Sequence, residues 1–190
     1  MISLDRYRLL LREPQLKGAI GASLLGRLPI GMAVLAILLF IQDEAGSFSS
    51  AGIAAALYVI GIGAVAPLIG RLIDRLGPRP LLLAGAIAYP IALVGLLLAV
   101  KLDAGTGWIA GCALLAGIAL PPVPTSIRTL LRRLLRDASH IHAAYSLDSV
   151  LMETVFILGP GIVSLFVAVG WPAGAVVCTA VCGGAGAVVR

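Results

Sequence analysis

The sequence predicts an all-α integral membrane protein of six transmembrane helices, on three observations. Of 190 residues, 60% are hydrophobic and only 12% charged, where a soluble domain holds roughly 45–50% apolar residues. Mean hydropathy is +1.07, a surplus that a soluble core cannot absorb. Apolar runs of about 20 residues, the length a helix needs to cross a hydrocarbon layer about 30 Å thick, recur along the whole chain.

Residues 1–17 come first as an N-terminal tail in which Arg6, Arg8, Arg12 and Lys17 interleave with Tyr7, Leu9, Leu10 and Leu11. That pattern suits a short interfacial helix on anionic lipid, ended by Pro14. Basic residues ahead of an apolar run also describe a signal peptide. Here the run is too long and no small-residue cleavage site follows, so it reads as a retained first span. That span covers 18–41 and is interrupted by Arg27 and Pro29. Residues 42–49 hold turn formers and no Lys or Arg.

The second span is 50–69, and a charged knot at 70–80 separates it from the third, 81–100. A fourth span, 107–124, ends among Pro121, Pro122 and Pro124, which cannot continue a regular helix because each lacks a backbone donor. Residues 125–144 place Arg128, Arg132, Arg133 and Arg136 among leucines at helical spacing, as in an amphipathic surface helix. The fifth span, 145–169, contains Asp148, Glu153 and an expected break at Gly159-Pro160-Gly161. A tight turn at Gly170-Trp171-Pro172 leads to the sixth, 173–189.

Lys and Arg orient these spans, since short cytoplasmic loops carry the excess. With the N-terminus inside, the inner segments hold four (6, 8, 12, 17), three (71, 75, 79), four (128, 132, 133, 136) and one (190). The outer loops hold Lys101 alone, and Arg27 is the one basic residue inside a span. Both termini are therefore expected in the cytoplasm, with the chain multi-pass in the plasma (inner) membrane. The net charge of +5 is scattered over these loops rather than gathered on one face, which argues against a nucleic-acid partner. Small residues abound, and Gly107 with Gly111 and Gly170 with Gly174 have the spacing of close helix packing.

A charge within the bilayer costs at least about 2.5–3.5 kcal/mol and marks a functional candidate by default. Three side chains qualify: Arg27, Asp148 and Glu153. At 1.5 Å per residue from the cytoplasmic ends, Arg27 lies about 13 Å deep, Glu153 about 12 Å and Asp148 about 5 Å. Matching depth predicts an Arg27–Glu153 pair near the midplane. It either lines a polar cavity that binds substrate or couples protons, or fixes packing as a structural ion pair. Asp148 is expected in a clamp with Arg71, Arg75 or Arg128.

Catalysis finds little to use. His140 and His142 fall in the loop, and no nucleophile or metal-ligand cluster joins them. Cys178 and Cys182 lie four apart on one face but without a His or carboxylate, so no metal site is expected. A phosphate-binding Gly-Lys-Ser/Thr loop is absent, which excludes ATP-driven transport by this chain alone, and no cofactor is implied.

At the knot, Gly70, Leu72, Asp74, Arg75, Gly77 and Arg79 resemble the signature that the major facilitator superfamily carries between its second and third helices. Ile73 replaces a small residue and Pro78 a basic one. The resemblance implies a cytoplasmic latch between two six-helix halves in the outward-facing state. Gly70 would let a helix approach, Asp74 would accept from a helix N-terminus, and Gly77 would permit the reversal. Gly159-Pro160-Gly161 is similar to the Gly-Pro-x-x-Gly-Gly motif of drug:proton antiporters, with Val163 and Ser164 in place of the final glycines.

The resemblance covers the whole chain and half of the usual twelve-helix architecture. It implies a bundle of two three-helix inverted repeats, the N-terminal half of such a transporter, as a fragment, a truncated gene product or a dimerising half-transporter. The expected function is secondary transport of a small-molecule substrate by alternating access, as efflux. The expected partners are the lipid bilayer and either a missing C-terminal half or a second copy. The alternative is a non-transporting six-helix scaffold whose buried charges are structural.

Overall fold

A computed structural model describes residues 14–126 and 138–188 as six helices: α1 Pro14–Ala45, α2 Phe48–Leu76, α3 Pro78–Lys101, α4 Thr106–Ala119, α5 Ala138–Ala168 and α6 Pro172–Val188. The interfacial helix expected before Pro14 and the arginine-rich segment 127–137 lie outside the described residues. Pro14 is the first residue of α1, in keeping with proline's fixed φ and missing donor at a first position. Among the described residues five helical stretches are long and apolar enough to cross a membrane, the fourth taken from Thr106 to Ser126, and α6 is apolar and shorter than these. In hydrocarbon every backbone group must be satisfied within its own segment, so a chain this apolar has helices as its outlet.

The same constraint explains why α1 runs unbroken through Arg27 and Pro29, and α5 through Gly159-Pro160-Gly161. The expected interruption and break are both absent. One proline forfeits one donor, whereas opening a helix in lipid exposes several.

The connections are tight. Ser47 caps α2 by accepting from the Ser50 N–H at 3.2 Å. Between α5 and α6 the Trp171 N–H bonds the Phe166 carbonyl and the Gly170 N–H the Val167 carbonyl, each at 2.9 Å. This is a Schellman closure with Gly170 at φ +70°. Trp171 meets Phe166 edge-on, ring centroids 5.7 Å apart, sealing the turn with an apolar contact.

Helix α1 is the hub: 56% of its span is buried, against 22% for α2 and 17% for α5. It packs on α6, α5 and α2, while α4 packs on α2 and α3, and α3 meets α6. Exchanging α1–α3 for α4–α6 maps the α1–α5 contact onto α4–α2 and α1–α6 onto α4–α3, as two related three-helix units require. The core they enclose includes Met32, Ala36, Ile37, Phe40, Tyr58, Tyr89, Leu93, Ala113, Val163 and Val176.

Close approach depends on glycines other than the expected pairs. A Cβ on Gly186 would fall on the backbone of Gly26, and one on Gly159 on the backbone of Gly31, so α6 and α5 touch α1 main chain to main chain. Around Gly107, Gly111 and Gly170 there is open space instead, and Gly174 lies under the Phe166 and Trp171 rings of its own turn.

Candidate functional site

Helix phase decides which charges meet. On α5, Asp148, Val155, Gly159 and Val163 recur at i, i+7, i+11 and i+15, all buried. On α1, Gly26 and Gly31 bring α6 and α5 against the backbone on either side of Arg27. The result is a sealed ion pair: Arg27 is 0% exposed and Asp148 3%. Arg27 Nη2 donates to Asp148 Oδ1, and Nη1 to the Asp148 carbonyl at 3.4 Å. Arg27 Nε has no acceptor among the described residues.

The expected Arg27–Glu153 pair is therefore corrected to Arg27–Asp148. Glu153 stands five residues beyond Asp148, about 140° further round the helix, and is exposed on the far side of α5. Depth alone had matched it to Arg27. The spacing of Asp148 seven residues before Val155, within an otherwise apolar face, is the signal that identifies the true partner.

Arg71 and Arg75 are exposed and make no ion pair among the described residues, so the expected clamp with Asp148 does not form through them. Arg128 lies outside the described residues.

At the knot, Gly77 alone separates α2 from α3. Its φ of +81° suits only glycine, and its N–H closes α2 on the Ile73 carbonyl at 2.9 Å. Pro78 is the first residue of α3, where its missing donor costs nothing, which accounts for its place in the pattern. Ile73 is buried, whereas Asp74, Arg75 and Arg79 are exposed. A Cβ on Gly70 would meet nothing within 4 Å, so Gly70 brings no helix close within this bundle.

The family model of the Major Facilitator Superfamily matches residues 19–190. The chain belongs to the Major Facilitator Superfamily. No curated protein and no solved structure gives a significant match. Members of this superfamily are membrane transporters, and the six-helix bundle is a transporter domain of that kind.

Within this Major Facilitator Superfamily domain, one polar feature escaped the sequence reading. Tyr58 of α2 and Tyr89 of α3, both buried, place their hydroxyls 3.3 Å apart. Gly117 of α4 abuts the Tyr58 backbone and Gly183 of α6 the Tyr89 ring, so four helices converge there. A buried tyrosine tip needs a partner, and two such tips in neighbouring spans were the available clue. No cluster of three or more His, Cys, Asp or Glu that could hold a metal occurs among the described residues. Cys178 and Cys182 are half-buried in α6.

Proposed function

We propose that this superfamily domain moves a small solute outward across the plasma (inner) membrane by alternating access. A second six-helix unit, a C-terminal half or a second copy, supplies the opposite wall of the pathway. The reading is carried by the superfamily match along 19–190, on a bundle whose two three-helix units pack as a related pair. The loop charges, twelve on the knot side against Lys101 on the other, support a cytoplasmic knot and cytoplasmic termini.

In this scheme the exposed Asp74, Arg75 and Arg79 are the latch offered to the second unit, and the joint at Gly77 holds them at the helix ends. The Arg27–Asp148 pair is a brace that makes α1 and α5 move together. Uptake of a panel of labelled small solutes into inside-out vesicles, energised by a pH gradient, tests the reading. Accumulation above the empty-vector control, reduced by Asp74→Asn at unchanged protein level, is the expected result. No uptake of any solute, with or without a second unit supplied, refutes transport and leaves a six-helix scaffold.

A further inference from the structure

A groove between α3 and α6 opens on the outside of the bundle, where Val94, Val177 and Val181 are exposed. Its lining is apolar: Pro90, Val94 and Leu97 of α3 form one wall, and Val177, Val181 and Gly184 of α6 the other. Gly184 keeps it deep, since a Cβ there would already lie 3.3 Å from the Pro90 ring. Pro90, Val94 and Leu97 follow one face of α3 at i, i+4 and i+7, and Lys101 continues that face at i+11, one turn beyond the groove.

Length decides between occupants. From Lys101 back to Pro90 the rise is about 16 Å, close to half of a hydrocarbon core about 30 Å thick. A helix of a second unit needs the full thickness, whereas one acyl chain fills a single leaflet. Trp108 and Trp171, both exposed, stand at the same end of the bundle as Lys101, as aromatic side chains at headgroup level do.

Charge then selects the headgroup. Lys101 is the one basic residue at this end among the described residues, against Asp43, Glu44 and Asp103; all four are exposed and none makes an ion pair there. A lipid of net negative charge would meet more carboxylates than ammonium groups. Asp103 follows Lys101 by two residues, in a turn at φ +50° that the Ala104 N–H closes on the Ala99 carbonyl at 2.9 Å. A cation and an anion, not paired with each other, thus end α3 above the groove. A zwitterionic headgroup carries the complementary pattern.

We propose that the α3–α6 groove holds one acyl chain of a zwitterionic phospholipid with a primary amine, of the phosphatidylethanolamine kind, its phosphate on Lys101 and its ammonium on Asp103. The lipid belongs to the leaflet at the end away from the knot. Held there, it ties α3 to α6 along the outside of the bundle, and the site does not depend on transport.

The full chain, reconstituted in vesicles of equal parts phosphatidylethanolamine and phosphatidylglycerol, provides the test. In parallel samples a trace of one lipid or the other carries a diazirine at the end of an acyl chain, and the residues labelled on illumination are mapped by mass spectrometry. The ethanolamine probe is expected to label residues 90–97 and 177–184 about threefold more than the glycerol probe, a modest factor because the ionic contacts face water. Lys101→Gln and Asp103→Asn should each remove that preference. Both positions are exposed, and asparagine tolerates the positive φ at 103, so the fold is kept.

Equal labelling by the two probes in the parent chain means bulk lipid alone and overturns headgroup recognition, as does a preference that survives both substitutions. A groove that neither probe labels is covered by protein, a second copy or another unit, and overturns the lipid site. Each of these results leaves the vesicle uptake of the transport reading untouched, so the two fail separately.

Discussion

Removing either partner of the Arg27–Asp148 pair should destabilise the bundle far more than removing both. Arg27 is fully buried and Asp148 nearly so, and no solvent screens whichever charge is left behind. Truncating one partner of such a pair costs about 3–5 kcal/mol, most of it the penalty of stranding the other charge. Arg27→Ala takes the buried guanidinium away from the Asp148 carboxylate, and Asp148→Ala strands a guanidinium whose Nε has no acceptor among the described residues and whose Nη1 contact is a long 3.4 Å. Asp148→Asn keeps a neutral acceptor at the same place and should cost less than Asp148→Ala. The double variant Arg27→Met/Asp148→Leu replaces both charges with apolar groups of similar volume. It should lie above both single alanine variants, since buried pairs exchanged for hydrophobes are often neutral or stabilising by about 1–4 kcal/mol. Unfolding in detergent, followed by tryptophan fluorescence during a denaturant titration, measures the parent protein, these four variants and Glu153→Gln. Additive losses in the double variant would refute the reasoning, as would a Glu153→Gln loss equal to that of Asp148→Ala.

Glycine substitutions should sort by what the new Cβ meets. Gly26→Val and Gly159→Val force helices apart and should each cost about 1–3 kcal/mol, read as loss of the monodisperse peak on gel filtration. Gly77→Ala should cost a similar amount through its φ of +81°, whereas Gly70→Ala and Gly111→Ala, with open space around them, should be neutral or slightly stabilising. Tyr58→Phe and Tyr89→Phe remove the same hydrogen bond. Each should lower stability by about 0.5–1.5 kcal/mol, and the double variant should lose no more than the larger single loss in the same denaturant titration.

The helices were legible because lipid leaves a backbone few options. Apolar runs, the prolines after Ala119 and the glycine at 77 placed the connections without reference to tertiary contacts. Interhelical detail was hidden for a related reason. In a chain so rich in small residues, GxxxG spacing at Gly107 and Gly111 looks the same as the contacts that matter, and Gly26 finds its partner, Gly186, 160 residues away. Residue counting gives a depth but not the side of a helix on which a charge lies. Glu153 was therefore matched to Arg27 while Asp148, in phase with Val155 and Val163, holds the position. The helices through Pro29 and Pro160 show the same limit, since a breaker in water is tolerated where opening the helix would expose more backbone than the proline removes.

The joint at Gly77 has a mechanical consequence. Helices of 29 and 24 residues meet at a single residue that is at once the C-cap of one and the N-cap of the other. A connector of one residue leaves little slack, so a displacement of the end of α2 is passed directly to the start of α3. Asp74, Arg75 and Arg79 stand exposed at this elbow. Two or three flexible residues inserted after Gly77 would convert the elbow into a loose hinge while leaving every helix intact.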